Sequence, residues 1–243
     1  MKKTAIITGA SRGIGRAVAK RLAHEGYHLA LFCHSKIDLL EAFAEELRSE
    51  CHVEIYTYCG DVADYSFMEA SLKDAIAKLG QVDVLVNNAG VANIGLLTDL
   101  SFDQWNSIIG TNLTALFNTA KQVVPAMVSK KSGDIINISS MWGTVGASCE
   151  VAYSASKGGV NSFTKALGKE LAPNGIAVNA IACGVVDTDM NGMLSADEKA
   201  ELSEEIPTGR FCQPEEIAEV VMSIINAPSY MTGQIIGVDG GYI

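Results

Sequence analysis

The chain has 243 residues, of which 48% are hydrophobic and 19% are charged. This length suits one large α/β unit, and this composition excludes an intrinsically disordered chain. The formal net charge of −10 repels a phosphate backbone, so we expect no nucleic-acid partner. The amino terminus lacks the apolar run of a signal peptide, and the charge-free residues 220–238 are interrupted by Pro228 and Gly233. We therefore expect a cytoplasmic protein with no membrane span.

Short β-branched runs alternate with helix-length segments along nearly the whole chain. Strands are predicted at residues 5–7, 29–33, 53–58, 82–86, 135–138, 178–182 and 235–238. Helices are predicted at residues 13–25, 37–49, 67–79, 102–128, 153–171 and 214–226. Because strands and helices alternate, residues 1–243 are predicted to form a single-domain, Rossmann-like, doubly wound parallel sheet with helices on both faces.

Residues 187–212 interrupt this alternation. They include an acidic run at 197–205 and the glycines Gly192 and Gly209. This segment is either a solvated pair of helices or a mobile cover over a site, because it follows the carboxyl end of a predicted strand.

A glycine-rich turn joins the first predicted strand to the first predicted helix. It reads Thr8-Gly9-Ala10-Ser11-Arg12-Gly13-Ile14-Gly15. Glycines at this place let the backbone approach a pyrophosphate, whose charge is favoured by the helix N-terminus. The spacing alone is weak support, but its position between a strand and a helix predicts a dinucleotide site.

The end of the second predicted strand indicates which dinucleotide binds. It reads Cys33-His34-Ser35-Lys36, with no carboxylate before Asp38. A carboxylate there would hydrogen-bond the ribose of NAD and repel a 2′-phosphate. Its absence, together with the cation of Arg12, favours NADP(H) over NAD(H).

Tyr153 and Lys157 are four residues apart on a predicted helix, so their side chains share one face. Ser140 lies 13 residues before Tyr153, just past the fifth predicted strand, and Asn112 lies in the preceding helical region. A free phenol has a pKa near 10, and a nearby ammonium would lower it toward neutral operation. The alternative is that these polar residues are unrelated.

Together these segments resemble the short-chain dehydrogenase/reductase family, from Thr8 to Gly241. The resemblance maps the family's catalytic positions onto Asn112, Ser140, Tyr153 and Lys157. It implies that Tyr153 protonates the alkoxide formed by hydride transfer, with Ser140 bonding the carbonyl oxygen. Lys157 would also hold the nicotinamide ribose, and Asn112 would anchor a water that links Lys157 to solvent.

The same resemblance implies further cofactor contacts, by residues that follow other strands. They are Asp61 and Val62 at the adenine, Asn88, Ala89 and Gly90 at the adenosine ribose, and Gly184, Val186 and Thr188 at the carboxamide. Cys183 replaces the usual proline of this last motif, which we expect to loosen the turn without removing a polar contact.

Within the family, the resemblance is greatest to the 3-oxoacyl-[acyl-carrier-protein] reductases of fatty-acid synthesis. Segments 187–190, 209–215 and 231–234 carry it. Lys130 and Lys131 stand where such enzymes present a base to the acidic carrier protein. Asn174 replaces a second base and Glu150 replaces a common glutamine, so carrier docking stays open.

The sequence leaves open two alternatives to a 3-oxoacyl-carrier-protein reductase. The substrate could instead be acetoacetyl-coenzyme A or a small ketone. The protein could also belong to a different class, a regulator that senses NADP without turnover, although the presence of both Tyr153 and Lys157 argues against it.

The resemblance also implies an oligomeric state. Relatives assemble as homotetramers through the helices that contain Asn112 and Tyr153 and through the C-terminal segment, which implies the same here. Six scattered cysteines predict reduced thiols and no metal site.

Overall fold

The computed structural model describes residues 2–192 and 194–243, so Met1 and Met193 lie outside the described residues. Within those residues it contains seven strands and nine α-helices. The strands are β1 Lys3–Thr8, β2 Tyr27–Cys33, β3 Ile55–Cys59, β4 Val84–Asn87, β5 Gly133–Ser140, β6 Ile176–Cys183 and β7 Ile235–Val238. The helices are α1 Gly13–His24, α2 Ile37–Cys51, α3 Tyr65–Leu79, α4 Phe102–Ile109, α5 Ala115–Lys130, α6 Trp142–Val145, α7 Val151–Leu171, α8 Ala196–Glu205 and α9 Pro214–Ile225.

The strands form one parallel sheet in the order β3-β2-β1-β4-β5-β6-β7. β1 pairs with β2 on one side and with β4 on the other, so that Ile7 faces both Leu31 and Val86. The direction of winding reverses between β1 and β4, and a crevice opens at the carboxyl ends of such strands. The predicted doubly wound fold is therefore confirmed.

Helices cover both faces of the sheet. On one face, α1 buries Val18 and Leu22 against the strands, and α2 and α9 belong to the same apolar cluster. On the other face, Leu72 of α3 and Val123 of α5 pack in a second cluster. A fully buried aliphatic side chain contributes about 1.5–3 kcal/mol, so these two layers supply most of the stabilisation.

The helical region predicted at residues 102–128 is unbroken, but it is not a uniform α-helix. α4 and α5 are joined by a π-helical turn, Gly110–Thr114, that contains Asn112. The short helix α6 follows β5 directly and was not predicted. Gly143 within α6 lies so close to α7 that a Cβ atom on it would be 2.6 Å from the backbone carbon of Lys157.

A chain of buried amide and hydroxyl groups ties the middle of the sheet to α5 and α7. Thr119 of α5 donates to Asn87 at 2.8 Å, and Asn87 donates to Asn137 of β5 at 2.8 Å. Asn137 in turn donates to the hydroxyl of Thr164 at 2.9 Å, and all four residues are buried. Each polar group has its partner, so this chain fixes the position of α7 relative to β5.

We expect Asn137→Ala to lower the free energy of unfolding by about 2–4 kcal/mol, because it leaves a cavity, takes the acceptor from the buried Asn87 side-chain N–H and removes the N–H that the Thr164 hydroxyl accepts. Urea denaturation measures this. Ser49→Ala, on the exposed side of α2, is the control and should change stability by less than about 0.5 kcal/mol. A loss for Asn137→Ala as small as that of the control would contradict the importance of the polar chain.

Candidate active site

The predicted cofactor-binding residues follow the carboxyl ends of five strands and therefore lie along one edge of the sheet. They are Gly9, Ser11, Arg12, Gly13, Ile14 and Gly15 after β1, His34, Ser35 and Lys36 after β2, Asp61 and Val62 after β3, Asn88, Ala89 and Gly90 after β4, and Gly184, Val186 and Thr188 after β6.

The turn between β1 and α1 depends on its glycines. Gly9 and Gly13 have φ angles of 67° and 54°, in the left-handed region that favours glycine. A Cβ atom on Gly15 would lie 2.3 Å from the carbonyl oxygen of Gly9. Among the described residues, no side chain caps the start of α1, and its first turn holds no acidic residue. The first N–H groups of α1 are therefore left for an anionic group such as a phosphate.

Asn88 holds this turn from the neighbouring strand. Its side-chain amide donates to the carbonyl oxygens of Thr8 and Gly9, at 3.0 Å each. The hydroxyl of Thr8 accepts the N–H groups of Asn88 and Ala89 at 3.0 and 3.1 Å. The segments after β1 and β4 are thus joined at the point where the winding of the sheet reverses.

The adenosine end of the edge carries no carboxylate on β2. His34, Ser35 and Lys36 are all exposed there. After β3, Asp61 accepts the N–H of Ala63 at 2.9 Å and shapes the loop.

Asn118 of α5 holds the same loop from below. Its amide donates to the carbonyl oxygens of Val62 and Ala63 at 3.0 and 3.2 Å, and the residue is buried. Sequence reasoning missed Asn118, because an asparagine in the middle of a helix belongs to no motif. Its conflict with helix propensity is the only signal that could have singled it out.

Arg12 is paired across the crevice. Its guanidinium lies 3.0 Å from the carboxylate of Asp189, and both side chains are more than half exposed. Exposed pairs of this kind contribute little to stability, so Arg12 is easily available to another anion. Thr188 lies beside Gly13, the residue that follows Arg12, because a Cβ atom on Gly13 would be 3.2 Å from the Thr188 methyl carbon.

The segment after β6 is fixed by backbone hydrogen bonds. Gly184 donates to Val238 of β7 at 2.9 Å, and Asp187 donates to Cys212 at 2.8 Å. A Cβ atom on Gly184 would lie 2.6 Å from the Cα of Asp239. The turn that contains Cys183 in place of proline is therefore closed by its neighbours.

Tyr153 and Lys157 lie one turn apart on α7, and Ser140 ends β5 beside them. The Nζ atom of Lys157 donates to the carbonyl oxygen of Ile138 at 2.8 Å and lies 5.6 Å from the centre of the Tyr153 ring. The Ser140 side chain lies near enough to the Tyr153 hydroxyl to lower the pKa of that phenol. The structure thus brings three of the predicted catalytic residues together at the carboxyl end of β5.

Asn112 reaches the same place from the π-helical turn. Its amide accepts the N–H of Val91 at 2.8 Å and donates to the Val91 carbonyl at 2.9 Å and the Ser156 hydroxyl at 3.0 Å. A Cβ atom on Gly90 would lie 3.4 Å from the Asn112 side-chain oxygen and 3.6 Å from Nζ of Lys157. Asn112 therefore clamps the segment after β4 to the first turns of α7.

Burial controls the ionisation of this group. Desolvation raises the pKa of Tyr153, while the neighbouring Ser140 side chain acts in the opposite direction. Burial lowers the pKa of Lys157 to about 8. The same burial favours the phenol of Tyr153 and the neutral amine of Lys157. The expectation that the Lys157 ammonium lowers the pKa of Tyr153 stays a prediction.

The residues of this edge fit an NADP molecule. The uncapped N-terminus of α1 suits the pyrophosphate, and the exposed cations Arg12 and Lys36, with no acidic residue at the end of β2, suit a 2′-phosphate. No group of three or more metal-ligating side chains occurs within the described ranges.

The two lysines predicted at a carrier-docking surface differ in availability. Lys130 donates to the carbonyl of Val82 at 3.1 Å and forms an ion pair with Asp83. Lys131 follows as the exposed C-cap of α5. Asn174 lies in a short 3₁₀ turn after α7.

The segment 187–212 contains a 3₁₀ turn, Asp189–Asn191, and α8, with Met193 outside the described residues. Ser195 caps α8 in a capping box with Glu198. α8 buries none of its side chains, whereas Ile206 and Phe211 beyond it are buried. The segment therefore contains a solvated helix whose flanking residues are buried, and this arrangement does not decide between the two interpretations of the segment.

Across the part of the chain that is described, no helix is long and apolar enough to cross a membrane.

The sheet order, the glycine turn and the Ser140-Tyr153-Lys157 group define a class of dinucleotide-dependent oxidoreductase. The family described as short chain dehydrogenase matches residues 3–199. The chain belongs to this family.

Relatives and a solved structure match over nearly their whole lengths. The chain is 40% identical to a 3-oxoacyl-[acyl-carrier-protein] reductase of Staphylococcus epidermidis, over 99% of each chain. It is 39% identical to an uncharacterized oxidoreductase, YmfI, of Bacillus subtilis, over 100% of this chain and 99% of that protein. The crystal structure of a variant of actinorhodin polyketide ketoreductase with NADPH matches with a TM-score of 0.93 and 37% identity, over 99% of this chain and 97% of that one.

The lowered pKa of Lys157 gives a pH-dependent stability. The pKa falls from 10.5 to about 8 on folding, so at intermediate pH the unfolded chain binds a proton that the folded chain does not, and stability rises with pH. Relative to Lys157→Met, the wild type is expected to gain up to about 3 kcal/mol of unfolding free energy between roughly pH 7 and pH 10.

Urea denaturation of both proteins at both pH values measures this difference, in which the titration of all other groups cancels. Lys165→Met removes an exposed lysine of the same helix and is the control, with no gain expected. A wild-type advantage that stays flat or falls as the pH rises would show that the Lys157 amine is not desolvated.

Proposed function

We propose that this protein reduces a carbonyl to an alcohol with NADPH, and that its substrate is a 3-oxoacyl thioester carried by acyl carrier protein. The observation that carries the reaction is the Ser140-Tyr153-Lys157 group at the carboxyl end of β5, beside a phosphate-binding turn. Support for the substrate comes from the full-length relatives of Staphylococcus and Chlamydia trachomatis that bear the name 3-oxoacyl-[acyl-carrier-protein] reductase.

In this reaction, NADPH supplies the hydride to the carbonyl carbon. The hydroxyls of Ser140 and Tyr153 hold the carbonyl oxygen, and Tyr153 gives its proton to the alkoxide as it forms. Burial keeps Tyr153 protonated before that step. Lys157 faces the Tyr153 ring with a pKa of about 8, so it can exchange a proton close to neutral pH. Asn112 is a positioning residue that holds α7 through Ser156.

Acetoacetyl-coenzyme A or a small ketone is a second candidate substrate class. It is favoured by the engagement of Lys130 with Asp83 and Val82, which leaves Lys131 as the exposed member of the predicted basic pair. We also propose a cytoplasmic location, supported by the six free cysteines of the described chain.

Tyr153→Phe tests the mechanism. We expect kcat for a 3-oxoacyl thioester to fall by about 10²–10⁴-fold, because the proton donor is lost, while NADPH affinity stays within about twofold, because the change is remote from the phosphate turn. NADPH consumption and fluorescence titration measure the two quantities. Tyr56→Phe on β3 is the control. Equal rates in wild type and Tyr153→Phe would overturn the mechanism.

The same assay separates the substrates when it is run with carrier-protein, coenzyme A and free-ketone substrates and with both reduced cofactors. We expect the carrier thioester with NADPH to give the highest kcat/KM. A higher value for coenzyme A or a small ketone would select the second class. NADPH binding with no turnover of any carbonyl would instead identify a sensor.

We further propose a homotetramer formed through the helices around Asn112 and Tyr153 and the C-terminal segment. Phe102 of α4 and Phe117 of α5 are 77% and 50% exposed, and Tyr230 and Ile243 are exposed near the C-terminus. Exposed large apolar side chains are typical of an interface when they lie together on a surface. Phe117→Asp is expected to reduce the mass in light scattering by at least half. Leu39→Asp, at an exposed leucine of α2, should leave it unchanged, and an unchanged mass for both would contradict the interface.

A further inference from the structure

Glu150 places a carboxylate close enough to Tyr153 for its charge to act on that phenol. It is the N-cap of α7, three residues before Tyr153, so the two side chains lie on the same side of the first turn. It is partly buried, and within the described residues its carboxylate has no hydrogen bond or ion pair. A carboxylate that is withdrawn from water with no partner is costly to keep, which points to a role outside the fold itself.

The backbone that presents Glu150 is strained. Cys149 has a φ angle of 63°, in the left-handed region that a cysteine rarely adopts. The other two non-glycine residues with positive φ among those described, His52 and Lys131, are the C-caps of α2 and α5, where this conformation is ordinary. Cys149 ends no helix, and its strain fixes the entry into α7.

Exposed apolar side chains lie beside Glu150 in the chain and in the loop that is held against Cys149. The N–H of Gly95 donates to the carbonyl oxygen of Cys149 at 2.8 Å, which holds the loop after β4 against this corner. Its neighbours Ile94 and Leu96 are 61% and 58% exposed, and Val151 beside Glu150 is exposed as well. A substrate that enters here therefore meets hydrophobic side chains and one unpaired carboxylate.

The Glu150 carboxylate is one of four groups that face Tyr153. The other three are Ser140, Cys183 and Lys157. Burial is the main cause of the raised pKa of Tyr153, and the negative charge of Glu150 adds to it. For Glu150 itself, desolvation alone raises the pKa, so no described cation neutralises it. Its charge opposes both an anionic substrate and the alkoxide that forms on the carbonyl oxygen.

From this geometry we propose that Glu150 is a specificity-determining residue, which rejects anionic 3-oxo acids and accepts neutral ketones, above all those with an N–H donor near the carbonyl. This inference rests on the proposed carbonyl reductase activity and deepens it. An amide N–H on the arm of a thioester can donate to the carboxylate and satisfies it on binding, whereas a free 3-oxo acid brings a second negative charge to the same place.

Matched substrates test the inference. They are ethyl acetoacetate, acetoacetate and the N-acetylcysteamine thioester of acetoacetate, each assayed with NADPH. For Glu150→Gln we expect kcat/KM for acetoacetate to rise about tenfold relative to ethyl acetoacetate, because a like charge has been removed. The relative kcat/KM for the amide-bearing thioester should fall severalfold, and Glu150→Asp, which keeps the charge, should retain the wild-type order.

The pH profile is a readout that a purely structural role would not move. Reduction requires protonated Tyr153, so activity is lost as the pH rises through its pKa. Because Glu150→Gln removes a negative charge, this alkaline limb is expected to move to lower pH. Glu170→Gln removes an exposed carboxylate at the far end of α7 and is the control, with neither effect expected.

The outcomes separate the two proposals. If the wild type reduces ethyl acetoacetate but Glu150→Gln changes neither the substrate ratios nor the alkaline limb, the role of Glu150 is wrong and the carbonyl reductase activity stands. If the wild type reduces neither these ketones nor a 3-oxoacyl thioester of acyl carrier protein, both proposals fail. NADPH titration of each variant confirms that it is folded, and Glu150→Ala, which also removes the charge, supplies the test should Glu150→Gln not fold.

Discussion

The hydrogen bond from the Lys157 ammonium or amine to the carbonyl oxygen of Ile138 is the contact on which the rest of the site depends. It draws a lysine into the interior, where its charged form is disfavoured, and it does so at the last residues of a central strand. The same bond sets the height of α7 against β5. Because Tyr153 is one turn earlier on α7 and Ser140 two residues later on β5, one bond places both of them.

The buried polar chain explains why α7 tolerates this arrangement. Asn137 of β5 reaches Thr164 of α7 two turns below Lys157, and Ser139 reaches Asn161 at 2.7 Å. These bonds fix the helix at several positions along its length, and their stabilisation offsets the cost of burying the lysine amine. None of them takes part in the chemistry. Asn112 adds a support from the other side, and the π-helical turn is what directs its side chain there.

Much of this architecture is readable in the sequence, because it depends on local patterns. The alternation of strands and helices, the glycine turn and the spacing of Tyr153 and Lys157 each require only a few neighbouring residues. What could not be read depends on distant contacts. The Arg12–Asp189 pair, the engagement of Lys130 with Asp83, and the hold of Asn118 on the loop after β3 join residues 177, 47 and 56 positions apart.

The pKa values of Tyr153 and Lys157 also depend on distant contacts, because those contacts decide how deeply each side chain is buried. Two ionisable groups four residues apart suggest mutual stabilisation of their charges, as on a solvated helix. In the structure both groups are withdrawn from water, and desolvation is the largest effect on each pKa, so it favours the phenol of Tyr153 and the neutral amine of Lys157.

Four unfavourable features occur within nine residues, 149–157, at the carboxyl edge of the sheet. They are the strained backbone of Cys149, the Glu150 carboxylate with no partner among the described residues, the raised pKa of Tyr153 and the lowered pKa of Lys157. None of these features improves the packing of the fold, and the well-packed layers of α1, α2, α3 and α5 offset their cost. A proton-transfer site requires such features together, because a group exchanges protons near neutral pH only when its surroundings shift its pKa from the ordinary value. Burial and unpaired charges produce that shift.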